Sequence, residues 1–211
     1  MGRPREHDDG TAAGLLDAGE ELLAAGGPSA VTVRAVAQAQ DTTTRAVYSL
    51  FGGKPGLVEQ LAGRGYDVLT DLVSSLPETD DPAADLVAAG VHGFRVFATE
   101  RPHLFRLTFE RVTADTVRDE DVQARARASY TALTRWVNRA QEAGVVDDRP
   151  TAAVAYEFHS LCVGLATTGL SRRPPPDGPG FWATLADWSD EDLWRAALTA
   201  LVRGMAPGDT D

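Results

Sequence analysis

The sequence predicts an all-helical fold, and three observations carry that prediction. Apolar residues recur at three- and four-residue spacings along most of the chain, no stretch alternates apolar and polar residues between turn signals, and glycine, proline and capping residues cut the chain into about nine helical segments.

The first segment, Thr11 to Ala25, places Leu15, Ala18, Leu22 and Leu23 on one face and stops at Gly26 and Gly27, as a left-handed C-terminal cap requires. Thr32 can cap a short helix over Val33 to Ala39, and Thr43 a second over Thr44 to Phe51 that ends at Gly52 and Gly53. Only Gln40 to Thr42 connects them. A longer amphipathic helix with Leu57, Leu61, Leu69 and Leu72 begins beyond Lys54 and fades at Leu76 and Pro77. Asp81 followed by Pro82 opens a helix to about Thr99, because proline is at home in a first helical turn. Pro102 then forces a break, and His103 to Glu110 forms a short helix. Glu120 to Ala143 is a long helix closed by Gly144, and Pro150 to Ser171 the next. Residues 172–180, RRPPPDGPG, read as a loop with polyproline character. The last helix starts at a capping box, Ser189 with Asp192, where Trp188 can staple onto Leu193 and Asp190 and Glu191 complement the helix dipole.

Composition narrows the function. The chain has 211 residues, 43% hydrophobic and 24% charged, which suits a packed core and argues against wholesale disorder. Its only cysteine, Cys162, excludes an internal disulfide and a cysteine zinc cage. The MGRPREHDDG start and the lack of any run of about 18 apolar residues point to a soluble, cytoplasmic protein that stays off membranes. A formal charge of −11 disfavours unspecific coating of nucleic acid, so any DNA binding must come from a local surface. No Gly-rich phosphate loop, GxSxG elbow or HExxH occurs. Glu100 and His103 have the spacing of a di-iron ligand pair, but no second copy exists and Pro102 interrupts the helix. No enzyme activity, metal site or cofactor is expected. A small helical-bundle enzyme, or a helical protein that binds no DNA, is the alternative, distinguished by whether purified protein carries metal or turns over a substrate.

The informative stretch is TVRAVAQAQDTTTRAVYSLFGGK, residues 32–54. Two short helices joined by a tight turn, after a third that supplies a core face, form the layout of a helix-turn-helix unit, whose second helix enters the major groove. Its inner face is Val33, Val36, Ala37, Ala46, Val47, Leu50 and Phe51. Thr43, Thr44, Arg45, Tyr48 and Ser49 are left for the outer face, where hydroxyls, one guanidinium and one phenol can meet phosphates or base edges. Arg3 and Arg5 either reach a minor groove or belong to a free tail.

Leu16-Asp17-Ala18, Thr32-Val33-Arg34, Val36-Ala37, Val47-Tyr48, Phe51 and Lys54 stand at the spacing of a known signature. Over about residues 11–61 the sequence resembles the TetR (tetracycline repressor type) family of bacterial transcriptional regulators. The resemblance implies an operator-binding recognition helix, with Lys54 and Tyr48 on the phosphate backbone. Thr32 and Arg34 complete the expected contact set. It also implies a homodimer on palindromic double-stranded DNA that represses transcription until a small effector releases it. The usual alanine-glycine of the turn is here Gln40-Asp41, and the usual glycine of the recognition helix is Arg45. Residues 1–64 hold six basic side chains against eight acidic ones, so no strong basic patch assists.

Two domains are expected, a DNA-binding domain with its N-terminal arm at 1–54 and an effector-binding and dimerisation domain at 55–211. Within the second, Arg101 to Arg106 and Gly164-Leu165-Ala166 resemble segments of one branch of the family's C-terminal domains. Phe94, Phe97, Phe105, Phe109, Tyr130, Trp136 and Phe158 sit at helical spacings that suit either a cavity for an apolar or aromatic effector or an ordinary core. His159 and Cys162, one turn apart, either face that ligand or are a satisfied buried histidine and a small apolar cysteine. The dimer is expected through the last two helices, with Tyr156 on one and Leu193, Trp194, Ala197, Leu198 and Leu201 on the other.

Overall fold

The computed structural model describes residues 5–111, 117–170 and 187–208, without the side chains of residues 5–9 and 111. Every regular element among them is helical. Helix α1 is Arg5–Gly26, α2 Val33–Ala39, α3 Thr44–Phe51 and α4 Lys54–Ser74. Helix α5 runs through Pro82–Ala88, widens into a π-helical stretch Ala89–Arg95 and finishes as α-helix Val96–Glu100. Helix α6 is Pro102–Arg106 continued by a π-helical turn Leu107–Arg111, followed by α7 (Glu120–Glu142), α8 (Thr151–Leu170) and α9 (Asp190–Gly204).

The expected caps operate. The hydroxyls of Thr32 and Thr43 accept the amides of Ala35 and Ala46, at 3.1 and 3.3 Å. Asp81 caps α5 ahead of Pro82, and Ser189 and Asp192 form a reciprocal capping box that holds the Asp192 carboxyl below its usual range. Gly27, Gly52 and Gly144 take positive φ where α1, α3 and α7 stop. Two expectations are corrected. Helix α1 opens at Arg5 rather than Thr11, so Arg5 stands in a helix and not in an arm, while Arg3 and the proline-rich segment 172–180 lie outside the described residues. The π-helical stretch of α5 was not expected. Glycines stand at two of its close contacts: a Cβ on Gly90 would lie 2.4 Å from Leu198 Cδ1, and one on Gly93 2.6 Å from Val73 Cγ2. Such a widening is a rare departure from the regular helical repeat, so apolar periodicity does not reveal it.

The chain divides into two compact units. The first comprises residues up to Val68 together with Arg101–Ala128, the second Leu69–Glu100 and Ser129 onward. In the first, Leu15, Leu23, Val36, Val47, Leu57, Leu61 and Phe105 are fully buried. Around that core Arg64 pairs with Asp17 at 2.7 Å and donates to the Ala13 carbonyl, and Arg101 reaches Glu20 at 2.7 Å. In the second unit Phe94, Phe97, Trp136, Phe158 and Leu198 are interior. The Trp136 indole N–H donates to the Val73 carbonyl at 3.2 Å, which satisfies its polar end inside the core.

The second unit also buries a charge. Asp85 is only 4% exposed and accepts the amide and hydroxyl of Thr79, at 2.9 and 2.7 Å, and the Arg139 guanidinium. Burial alone would raise its pKa, but these hydrogen bonds and the arginine charge hold it below the usual carboxylate range.

Candidate nucleic-acid interface

Helices α1, α2 and α3 build the site in the first unit. Val36, Ala37 and Val47 are buried, with Val33, Ala46, Leu50 and Phe51 half-buried around them, which fixes the roll of α3. Thr44, Arg45, Tyr48 and Ser49 consequently share the exposed side, and Tyr48 is 59% exposed despite its large ring. That ring stands close over Gly53, where a Cβ would lie 3.1 Å from Tyr48 Cε1. Gly53 has φ +117°, so a side chain there would strain the backbone.

The capping bonds prepare the two threonines chemically. Each hydroxyl oxygen accepts a helix amide, so its proton remains to be donated outward to a phosphate oxygen. Thr32 and Thr43 are both exposed at the N-terminal ends of their helices, as Arg34 is on α2. Lys54, the first residue of α4, donates to the Pro28 carbonyl at 3.4 Å, a contact that anchors an otherwise exposed side chain to the turn after α1. All eight expected contact residues are thus exposed in one unit.

The turn between α2 and α3 departs from glycine. Asp41 is the one described non-glycine residue with positive φ, at +46°, and it is exposed. Its amide is bonded to the Gln38 carbonyl and that of Thr42 to the Ala37 carbonyl. The Gln40 side chain reaches toward Gly14 of α1, where a Cβ would come 2.7 Å from Gln40 Oε1. The Gly14–Gln40 approach carries no periodic signal, and sequence reasoning passed over it.

The nine residues expected around an effector fall into both units. Phe105 and Phe109 belong to the first, where their rings are 4.9 Å apart and Phe109 meets Tyr66 edge-on at 6.0 Å. Phe94, Phe97, Tyr130, Trp136, Phe158, His159 and Cys162 belong to the second. Tyr130 is corrected: it is 40% exposed and donates its hydroxyl to the Ala152 carbonyl at 3.0 Å, so it is a surface residue rather than an interior one. His159 packs edge-on against Phe94 at 5.6 Å, and burial pushes its pKa down. Burial pushes the Cys162 thiol well up, and its sulfur lies against Gly90.

The expected dimer residues separate into two stripes. Trp194 and Leu198 are buried within their own unit, which corrects their assignment to an outward face, because area already buried cannot be offered to a partner. Leu193, Ala197 and Leu201, one turn apart along α9, are half-buried, and Tyr156 on α8 is 70% exposed. Ala152, Tyr156, Ser160, Gly164 and Thr168 form an exposed stripe at four-residue spacing.

Two family models match this arrangement. One, described as bacterial regulatory proteins of the tetR family, matches residues 15–61, and the other, the tetracyclin repressor-like C-terminal domain, matches residues 87–201. The chain belongs to the tetR family. It is a DNA-binding transcriptional regulator of that family, whose members are transcription factors and not enzymes. No curated protein matches the sequence. Among solved structures, a protein of unknown function from Rhodococcus sp. RHA1 shares the fold with a TM-score of 0.74 at 20% identity, over 93% of this chain and 96% of that one. A tetR-family regulatory protein from Rhodococcus RHA1 has a TM-score of 0.64 at 19% identity, over 93% and 96%. The tetR-family regulator PfmR from Thermus thermophilus has 0.62 at 20% identity, over 92% and 99%. At these identities the likeness is one of fold. No described helix of this tetR-family chain is long and apolar enough to cross a membrane, and no described group of three or more His, Cys, Asp or Glu residues could hold a metal ion.

Proposed function

We propose that this tetR-family protein is a homodimeric repressor that leaves a palindromic operator when a small apolar or aromatic effector binds. Residues 1–54 serve DNA binding and residues 55–211 effector binding and dimerisation. One observation carries the DNA-contact assignment: packing of Val47 forces Thr44, Arg45, Tyr48 and Ser49 onto one exposed side of α3. An eight-residue helix is about 12 Å long, which fits the major groove, and a twofold dimer presents two such helices about 34 Å apart to successive grooves. Arg45 can donate bidentately to a guanine, while Thr32, Arg34, Thr43, Tyr48 and Lys54 hold the backbone.

For the dimer, support comes from the half-buried stripe Leu193, Ala197 and Leu201 and from the exposed face of α8, where small residues let backbones approach around Tyr156. For the effector, support comes from the apolar surroundings of the π-helical stretch, Phe94, Phe97, Phe158 and Cys162 with His159 as the polar group. An effector that prefers a conformation unable to span both half-sites lowers DNA affinity, and DNA lowers effector affinity by the same factor.

An electrophoretic mobility-shift assay against DNA flanking its own gene, with light scattering after size exclusion, tests this reading. A dimer mass and a saturable shift are expected, and hydrophobic compounds are expected to raise the melting temperature and reverse the shift. Leu201→Glu should convert dimer to monomer and abolish the shift while helical circular dichroism persists, because it places unpaired charges at the interface. A wild-type monomer at micromolar concentration would remove the half-site geometry.

A further inference from the structure

Between Thr32 and Lys54 stand three cations, Arg34, Arg45 and Lys54, and a single anion, Asp41. That anion is exposed and occupies a left-handed backbone position, φ +46°, which glycine fills with no steric cost. Asp41 lies two residues before Thr43, the cap of the recognition helix, so their Cα atoms are within about 7 Å of each other. A phosphate accepting the Thr43 proton is then about one Debye length from the Asp41 carboxylate at physiological salt. The turn holds the residue there: the Asp41 and Thr42 amides are bonded to α2 carbonyls.

We propose that Asp41 is an electrostatic brake on DNA affinity: its carboxylate, carried at the entrance of the recognition helix, repels backbone phosphates and lowers the phosphate-driven binding of every duplex. The proposal rests on the reading that α3 faces the groove. In this stretch one negative charge lowers the formal net charge from +3 to +2, which weakens the attraction that every duplex feels. A duplex lacking the matching bases has no base-edge contacts to offset that loss, so it is held less by phosphates alone.

The test separates charge from backbone shape. Asn is nearly isosteric with Asp and adopts the left-handed conformation readily, so Asp41→Asn removes the charge alone, and Asp41→Gly removes charge and strain together. Binding of wild type and both variants is measured by fluorescence anisotropy on a duplex from the DNA flanking its own gene and on an unrelated duplex of equal length, from about 50 to 200 mM salt, the range over which counterion release is strong. Expected is an affinity gain of about two- to fivefold on both duplexes at low salt, equal in the two variants and fading as salt rises. Thermal unfolding should separate them, with Asp41→Gly melting differently from Asp41→Asn while binding alike. Unchanged affinity in Asp41→Asn, with wild type still binding the flanking duplex, would overturn the brake and leave the DNA reading intact. A gain in Asp41→Gly alone would assign the effect to backbone strain and overturn it too. If wild type binds neither duplex, the groove-facing reading of α3 falls, and the brake with it.

Discussion

The two units use polar residues in opposite ways. In the first, the polar groups of the candidate interface are exposed, and Thr32 and Thr43 are bonded to backbone within their own helix ends. In the second, Asp85 is buried and depends on Thr79 and Arg139, 6 and 54 residues away in sequence. A site made of local contacts tolerates change at its surface and loses binding without losing the fold. A buried pair made of distant residues does the reverse.

The most severe test of that contrast is Asp85→Ala. It strands the partly buried Arg139 and should lower stability by about 3 kcal/mol at pH 7, read by chemical denaturation. Because the folded pKa of Asp85 is depressed, its contribution is present above the unfolded value of about 4 and is lost as pH falls through the folded value. The gap between wild type and variant should therefore close on acidification below about pH 4. Equal stability at pH 7 would show that the buried pair contributes nothing. Next comes Arg45→Ala, which should cost about 1 to 3 kcal/mol of operator affinity and relax preference at one base pair per half-site, with an unchanged melting temperature. A loss shared equally by all base substitutions would place Arg45 on the backbone instead. Thr43→Ala removes both a cap and a phosphate donor, so about 1 kcal/mol of stability and a part of the affinity for every duplex should go together. Retained stability would mean the cap bond is dispensable. The smallest effect belongs to Lys54→Ala: sequence preference stays, and the slope of log affinity against log salt flattens by about 0.9. An unaltered slope would show that Lys54 stays on the Pro28 carbonyl when DNA binds.

The same contrast explains what was legible in advance. Helices α2 and α3 have the ends expected for them, because capping threonines and left-handed glycines act within four residues of where they stand. The exposed side of α3 follows from its apolar spacing. Tyr130 and the pair Trp194 and Leu198 were misplaced for a common reason: helical spacing identifies apolar faces but not what covers them. Leu198 is interior and packs closely against Gly90, and Tyr130 is exposed with its hydroxyl on the Ala152 carbonyl.

By itself, then, the sequence determined the all-helical class, the two short helices and their caps, and which side of α3 is exposed, since each depends on interactions a few residues long. Tertiary structure alone decided the π-helical stretch of α5, the pairing of buried Asp85 with Arg139 and the division of the α9 apolar surface into an inner and an outer stripe. Those features depend on close approach between segments far apart in the chain, and close packing is a property of the assembled neighbours rather than of any one of them.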